Sequence, residues 1–189
     1  MLYEPGERDS SVQDLARELA ATGRSPNSVV LLAELADDLA GYLQLTGGSP
    51  RRSRATAYLV IGVRAHAAGR GIGTALLRQA KDWAAAHGLH RLELTVMAHN
   101  TRAIRLYERM GFAVEGRRAE CLLLDGHFID ELTMAILPQP SAFPQPSASP
   151  PIWQPGSAGC RLDRSAVHPG PGAASAPSVF HVNDEKLST

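Results

Sequence analysis

Three features that this 189-residue sequence lacks or has little of exclude several classes of protein. It has only two cysteines, Cys121 and Cys160, too few for a disulfide framework or a zinc site. No apolar run approaches the roughly eighteen residues that cross a membrane. The N-terminus also lacks the basic and then apolar pattern of a signal peptide. We therefore expect a cytoplasmic protein without a metal site.

The sequence also lacks an excess of charge, with 19 basic and 19 acidic residues. A balanced charge argues against a general binder of nucleic acid or of membrane surfaces. The length suits one domain with an appendage. Composition therefore favours a small soluble enzyme, with neither nucleic acid nor a membrane as its partner.

The most informative stretch runs from Tyr58 to Phe112. A predicted strand, Tyr58–Val63, leads after five residues into a loop with alternating glycines, Gly69, Gly71 and Gly73. Glycine accepts backbone conformations that a side chain would forbid. Because the loop opens into an amphipathic helix, backbone N–H groups and the helix dipole converge on one spot that suits phosphate oxygens. A glycine loop alone is equally compatible with a tight turn that binds nothing.

Two other phosphate-binding loops fit less well. No lysine followed by serine or threonine closes the loop, so it is not a Walker A sequence. The Rossmann fingerprint has some support, because Glu93 lies about twenty residues beyond the last glycine, where an acid would bind a ribose. However, Thr74 stands where that fingerprint has its third glycine. Rossmann remains the weaker alternative.

Two motifs follow each other along this stretch. Residues Ala68–Gly73 read Ala-Gly-Arg-Gly-Ile-Gly, and Asn100–Phe112 contain Asn-x-x-Ala-x-x-Leu-Tyr-x-x-x-Gly-Phe. Together they resemble the GNAT superfamily of acyl-CoA N-acyltransferases, whose pyrophosphate-binding signature is Gln or Arg, two residues, Gly, one residue, then Gly or Ala. The resemblance extends from about Val29 to Leu137. It departs from the family at Ala68, where glutamine or arginine is usual.

The resemblance implies a mixed α/β fold, with a mainly antiparallel central sheet and helices on both faces in an α-β-α sandwich. Residues 1–137 would form this domain, apparently without the usual first strand and helix. Either the subfamily lacks them or the chain starts late in its gene, which would leave a sheet edge unpaired. Periodicity predicts strands at Val29–Leu35, Leu39–Leu45, Tyr58–Val63, Arg91–Val96, Phe112–Val114, Arg118–Leu124 and Phe128–Ile136, with helices at Ile72–His87 and Asn100–Met110.

An N-terminal helix is predicted before the first strand. Ser10 would cap it, with Gln13 as the partner in a capping box. Apolar residues at helical spacing would form its buried face: Val12, Leu15, Ala16 and Leu19.

Residues 138–189 differ in composition from the rest of the chain. They hold ten of the thirteen prolines and eight serines. No alternation or helical spacing occurs there, so the segment has too little apolar surface to offset its ordering entropy. We predict a disordered Pro/Ser-rich tail, in which Trp153 and Phe180 have no fixed environment.

The resemblance implies acetyl-CoA as cosubstrate and a primary amine, on a small molecule or a protein, that attacks the thioester directly. In this family the strand before the glycine loop splays from the next parallel strand, and the pantetheine arm lies in the gap. Tyr107 would be catalytic, donating a proton to the leaving CoA thiolate. Asn100 would contact the cofactor arm or only cap its helix. The cofactor-binding residues implied are Ile61, Gly62, Val63, Ala68, Gly69, Arg70, Gly71, Ile72, Gly73, Thr74, Asn100, Ala103 and Tyr107.

The sequence does not identify the general base. Relatives often carry a glutamate near the position of Tyr58, whereas this strand has no carboxylate. Glu34, Glu93, His66 and a water relay are the candidates. An N-acetyltransferase is the main hypothesis, and a CoA-binding or protein-interaction module without turnover is the alternative. A homodimer is compatible with either, and the acceptor is not specified.

Overall fold

The computed structural model describes residues 11–138 and the backbone of residues 178–182. These residues form three α-helices, a 3₁₀ turn at Ala65–Ala67 and seven strands. In chain order the helices and strands are α1 (Val12–Gly23), β1 (Val29–Leu35), β2 (Asp38–Gly47), β3 (Thr56–Val63), α2 (Ile72–Ala86), β4 (Arg91–Met97), α3 (Thr101–Arg109), β5 (Ala113–Leu124), β6 (His127–Ile136) and β7 (Ser178–Val182).

All seven strands belong to one sheet in the order β5-β6-β4-β3-β2-β1-β7. The pairs β1–β2, β2–β3, β4–β6 and β5–β6 are antiparallel, whereas β3–β4 and β1–β7 are parallel. The mixed α/β class with a mainly antiparallel sheet, predicted from the sequence, is confirmed. The antiparallel pairs exclude a Rossmann fold, whose sheet is parallel. No helix within the described residues is long and apolar enough to cross a membrane.

The core lies between the sheet and α2, which packs against β1, β2 and β3. Successive strand residues point to opposite faces, so alternate residues fill this core. Burying each of its aliphatic side chains contributes about 1.5–3 kcal/mol, which fixes the register of the strands. The large side chains with almost no exposed surface are Leu31, Leu43, Leu45, Ile72, Leu76, Leu77, Leu92, Leu94 and Met134.

Two hairpins turn on pairs of residues in the left-handed conformation. Ala36 and Asp37, between β1 and β2, have φ of 49° and 64°. Asp125 and Gly126, between β5 and β6, have φ of 48° and 76°. Two consecutive residues of this kind match the twist of the flanking strands, and Asp-Gly is among the strongest signals for such a turn. The Asp125-Gly126 turn joins the two strands that the sequence predicts at Arg118–Leu124 and Phe128–Ile136.

Strand β5 corrects the prediction of two separate strands, Phe112–Val114 and Arg118–Leu124. It is a single strand whose register against β6 shifts between Val114 and Gly116 and again between Arg118 and Leu122. In the second shift Glu120 has φ of 50°, and its N–H donates to Asp130 Oδ1 at 2.7 Å. Such bulges interrupt the alternation of side chains, which is why periodicity divides the strand.

Helix α1 differs from its prediction in both cap and burial. Ser11, and not Ser10, caps it: Ser11 Oγ accepts the Asp14 N–H, and the Asp14 carboxylate accepts the Ser11 N–H. The predicted buried face is wrong, since Val12 is 84% exposed and Leu15 is 48% exposed. Periodicity shows only that a helix has an apolar side; α1 contacts β1, but none of its residues is buried within residues 11–138. Ser10 lies outside the described residues.

Strand β7 corrects two expectations about the ends of the chain. The segment Ser178–Val182 pairs in parallel with β1, from Leu31 opposite Ser178 to Leu35 opposite Val182. The edge of β1 is therefore paired, and part of the predicted disordered tail forms a strand. The β-forming residues Val179, Phe180 and Val182 are the sequence signal that an argument from overall composition passes over. The rest of residues 139–189 lies outside the described part of the chain.

Candidate active site

A gap opens in the middle of the sheet, between β3 and β4. The two strands pair only at their beginnings, where Thr56–Tyr58 lie opposite Arg91–Glu93. Beyond that point β3 pairs only with β2, up to Val63, and β4 only with β6, up to Met97. The backbone N–H and C=O groups of residues 59–63 that face the gap have no partner strand within the described chain. They are available to the amide groups of a ligand.

The glycine loop lies at the end of β3, where the gap is open. Gly69 and Gly71 have φ of 88° and 79°, a conformation that glycine adopts without strain. Gly73 has another role, because a Cβ built on it would lie 3.0 Å from Leu106 Cδ2 and 3.9 Å from Val63 Cγ2. The absence of a side chain at Gly73 therefore lets α2 approach both α3 and the end of β3.

The N-terminus of α2 has no side-chain cap. The Gly71 carbonyl accepts the Ala75 N–H at 3.0 Å, which leaves the N–H groups of residues 72–74 without an acceptor in the helix. By contrast, Ser11 caps α1 and Asn100 caps α3. A Cβ at Gly71 would meet nothing within 4 Å, so open space lies in front of these N–H groups. Uncapped N–H groups and the positive end of the helix dipole favour an anion in that space.

Arg102 is a cation at this loop that the sequence analysis missed. Its Nη2 lies 3.7 Å from the position of a Cβ on Gly69. Arg102 is exposed, and within residues 11–138 it has no hydrogen-bond or ion-pair partner. Ala68, at the position where a charged or amide side chain is usual, is also exposed. The sequence signal that could have identified Arg102 is its position in the first turn of α3, two residues after Asn100.

Asn100 joins the end of β4 to the start of α3. Its N–H donates to the Met97 carbonyl at 2.9 Å, and its Oδ1 accepts the Ala103 N–H at 3.2 Å. The side chain is therefore a helix cap, as the sequence allowed. Ala103 is half-buried, and Asn100 is exposed.

Tyr107 is a buried phenol on α3. The residue is 7% exposed, and its ring packs at a tilt against Phe112 with centroids 5.9 Å apart. Burial, and to a lesser extent the charge that Tyr58 would carry, raise the pKa of Tyr107 to about 12. The phenol is therefore neutral at physiological pH and able to donate a hydrogen bond. The ring belongs to the core, and the hydroxyl group is close enough to Tyr58 to be affected by it.

Tyr58 and Thr95 face each other where β3 and β4 separate. Their hydroxyl oxygens are 2.7 Å apart, and either can be the donor. Tyr58 is 38% exposed and Thr95 is half-buried, so water reaches the pair. Sequence reasoning noted Tyr58 only for its lack of a carboxylate and did not single out Thr95. No local motif connects two residues that lie 37 positions apart.

A family model described as "Acetyltransferase (GNAT) family" matches residues 2–112, more than half of the chain. The chain belongs to the GNAT acetyltransferase family. It is therefore an acyl-CoA N-acyltransferase with acetyl-CoA as cosubstrate, as the resemblance implied.

Two relatives show how far the similarity extends. The L-amino acid N-acetyltransferase AaaT of Escherichia coli (strain K12) is 30% identical over 115 residues, which cover 58% of this chain and 68% of that protein. A mycothiol acetyltransferase of Acidimicrobium ferrooxidans is 38% identical over 86 residues. The match with the latter covers 45% of this chain but only 28% of the relative, which is much the longer protein.

Solved structures of the GNAT family share this fold. An acetyltransferase of the family from Streptococcus pneumoniae has a TM-score of 0.66 and 31% identity, covering 69% of this chain and 78% of that one. The putative acetyltransferase yncA of Salmonella typhimurium, solved with its cofactor acetyl-CoA, has a TM-score of 0.51 and 25% identity. That match covers 57% of this chain and 63% of the Salmonella protein.

The candidate bases lie at different distances from the gap. Glu93 is opposite Tyr58 in the register, but its carboxylate accepts the Arg91 Nε–H at 3.0 Å. Glu34 is on β1, which β2 separates from β3. His66 is exposed in the 3₁₀ turn, and its Nε2 lies 3.8 Å from Asp38 Oδ2. Glu93 thus lies at the last β3–β4 pair before the gap, and there it is engaged by an arginine.

Proposed function

We propose that this chain transfers the acetyl group of acetyl-CoA to a primary amine by direct attack of the amine nitrogen on the thioester carbonyl. The observation that carries the proposal is the gap between β3 and β4, which ends at the uncapped N-terminus of α2. An extended ligand with amides at one end and phosphates at the other matches this combination of unpaired strand edge and free helix N–H groups.

The two ends of the cofactor would use different parts of the site. The pantetheine arm would pair with the free backbone edge of Ile61, Gly62 and Val63. The pyrophosphate would bind the N–H groups of the glycine loop, residues 68–74. We include Arg102 among the cofactor-binding residues, because its guanidinium beside Gly69 supplies the positive charge that Ala68 lacks.

Catalysis would depend mainly on holding the two reactants together. Positioning alone supplies much of the acceleration of such a transfer. Unpaired N–H groups along residues 59–63 are suited to stabilise the oxyanion that develops on the thioester oxygen. Tyr107, whose phenol stays protonated, would donate a hydrogen bond to the CoA sulfur as it leaves.

The acceptor class is a small-molecule primary amine, with a protein amine as the alternative. The names of relatives support small molecules: one is an L-amino acid N-acetyltransferase, and another, from Vibrio cholerae, is a spermidine N(1)-acetyltransferase. Both names describe those proteins. Each names a class of amine that can be tried as the acceptor. A cytoplasmic location and a possible homodimer remain predictions from the sequence.

A panel of amines tests the proposal. The protein is incubated with acetyl-CoA and an L-amino acid, spermidine or a peptide with a free N-terminus, and free CoA is measured with a thiol reagent. We expect CoA release that requires one of the amines, and mass spectrometry should show the acetylated product. Release at the same rate with and without every amine would contradict the proposal.

The alternative function is a CoA-binding module without turnover. It is favoured by Ala68 in the loop and by the absence of a carboxylate on β3. Calorimetric titration with CoA and the amine panel together distinguish the two, because both bind CoA but the module acetylates none of the amines. Lack of CoA binding would contradict both functions.

A further inference from the structure

Tyr58 and Thr95 lie on one side of the sheet, opposite the side that α2 covers. Along β3, Ala57 and Leu59 are buried in the core beside α2, so Tyr58 between them points to the other face. Along β4, Leu94 and Val96 are buried, and Thr95 between them points the same way as Tyr58. An acetyl group that enters the gap from the cofactor side would therefore meet this hydroxyl pair at the opposite face.

Within β3 and β4, no unengaged carboxylate competes for the position of the pair. Glu93, the carboxylate nearest in the register, is bound by Arg91, and Arg91 also donates to both carboxylate oxygens of Glu115. From α3, the titratable group beside Tyr58 is Tyr107, which is neutral. On β2, the residue paired with Tyr58 is Thr46. The face around the pair thus offers hydroxyl groups and no unengaged carboxylate on β3 or β4.

We propose that the Tyr58 and Thr95 hydroxyls form a relay that removes the proton from the attacking amine and passes it to water. The inference rests on the proposed acetyl transfer. Tyr58 would touch the acceptor nitrogen, and Thr95 would position the Tyr58 hydroxyl and carry the proton onward. The relay takes the place of a carboxylate base.

The relay conserves atoms and charge at each step. The amine nitrogen forms a bond to the acetyl carbon, and the carbon–sulfur bond breaks as CoA leaves with the electron pair. The nitrogen gives a proton to Tyr58 Oη while Tyr58 gives its own proton to Thr95 Oγ1. Thr95 passes its proton to water, which the exposure of the pair admits. No oxidant or further reactant is needed.

Single hydroxyl deletions test the relay with acetyl-CoA and the best amine of the panel. Tyr58→Phe and Thr95→Val remove one hydroxyl group each and keep the shape of the side chain. We expect kcat to fall roughly ten- to hundredfold in both, which lies at the lower end of general acid–base effects. The affinity for CoA and the melting temperature should stay close to those of the wild type. Thr95→Ser, which retains a hydroxyl group, should recover most of the activity.

Thr133→Val is the matched control. Thr133 lies directly opposite Thr95 on β6 and is also half-buried, but it has no contact with Tyr58 among the hydrogen bonds of the described residues. The same substitution at this position should leave kcat unchanged.

The outcomes separate the relay from a structural tie and from the proposed function. Equal turnover in wild type, Tyr58→Phe and Thr95→Val would overturn the relay alone. Losses of melting temperature and CoA affinity that parallel the loss of kcat in Tyr58→Phe and Thr95→Val would show that the hydrogen bond only ties β3 to β4, and the relay would again be wrong. Absence of acetyl transfer in the wild type would overturn the proposed function and the relay together.

Discussion

The centre of the sheet and its β1 edge are assembled from the sequence in different ways. At the centre, β3, the glycine loop, α2, β4 and α3 follow one another within residues 56–109, and neighbours in sequence are neighbours in space. At the edge, β1 pairs with β7, which lies more than 140 residues further along the chain. The centre carries the candidate chemistry, and the edge completes the sheet.

This difference predicts which kind of change each region tolerates. At the centre the geometry depends on single residues, such as glycines with positive φ and one capping asparagine, so point substitutions should affect ligand binding or turnover. At the edge a short strand contributes to stability through backbone pairing, so substitutions should change the stability of the protein and its association.

Replacing Gly71 with leucine should abolish cofactor binding. The side chain would enter the open space before the N–H groups of residues 72–74, where the phosphates are proposed to bind. Losing several charge-assisted hydrogen bonds at about 1.5–3 kcal/mol each corresponds to more than about a hundredfold in affinity. Calorimetric titration with CoA measures the loss.

Gly88→Leu provides a matched control for that substitution. Gly88 follows the other end of α2, has φ of 70° and likewise has nothing within 4 Å of a built Cβ. Both variants therefore carry the same backbone strain, about 1–2 kcal/mol. Wild-type CoA affinity in Gly71→Leu would contradict the phosphate site, and an equal loss in both variants would attribute the effect to stability.

Replacing Tyr107 with phenylalanine should lower kcat and leave CoA affinity almost unchanged. The ring packing against Phe112 remains, and only the hydroxyl group that would assist the departing thiolate is lost. We expect a fall of roughly ten- to a thousandfold, within the range for general acids. Steady-state kinetics with the best amine measure the fall in kcat. Wild-type turnover in this variant would show that Tyr107 has only a packing role.

Much of the centre could be predicted from the sequence because its signals are local. The positive φ of Gly69 and Gly71 and the Asn100 cap each follow from residues within a few positions of one another, and outside the centre the same holds for the Asp125-Gly126 turn. The contacts that sequence reasoning missed join distant residues, as between Tyr58 and Thr95. Local spacing carries no information on such pairs.

Removing the guanidinium of Arg102 should weaken CoA binding about tenfold, as expected for one exposed charge-assisted hydrogen bond to a phosphate. The test compares Arg102→Ala with Arg105→Ala, which removes an exposed arginine of the same helix that has no atom within 4 Å of a Cβ built on Gly69. Adding Ala68→Arg to Arg102→Ala should restore affinity, because the charge returns from the usual position. Equal CoA affinities in the two single variants would show that Arg102 does not bind the cofactor.

The errors at the edge have a common physical origin. The apolar side of α1 and the composition of residues 138–189 are properties of isolated segments, whereas burial and strand pairing depend on what lies opposite. Val12 is apolar at helical spacing and yet exposed, and Ser178–Val182 lies in a proline-rich segment and yet pairs with β1. Neither outcome can be derived from the segment alone.

Deleting residues 139–189 should lower the melting temperature by a few degrees and leave acetyl transfer unchanged. The deletion removes β7 and exposes the edge of β1, which also favours association. A loss of about 1 kcal/mol corresponds to about 2–4 °C for a domain of this size. In the full chain, Val179→Pro combined with Phe180→Pro should have the same effect, because one of two successive N–H groups on this strand faces β1. Prolines at Leu187 and Ser188 lie outside β7 and should have no such effect. Identical melting curves and light scattering for all forms would show that residues 139–189 have no structural role.

The smallest effect is confined to alkaline pH and concerns the buried phenol at the centre. Burial raises the pKa of Tyr107 to about 12 in the folded protein, against about 10 for an exposed tyrosine. Below pH 10 both the folded and unfolded chains keep the proton, and the stability is unaffected. Between about pH 10 and pH 12 the unfolded chain releases the proton first, so the folded state loses stability as the pH rises.

Tyr107→Phe has no proton to lose, while every other alkaline titration is common to both proteins. We therefore expect the melting temperature of the wild type to fall more steeply than that of the variant above pH 10, by a few degrees at pH 11.5. Parallel curves from pH 8 to pH 11.5 would show that the Tyr107 hydroxyl is hydrated in the folded protein, which would also weaken the argument for its protonated role at the thiolate.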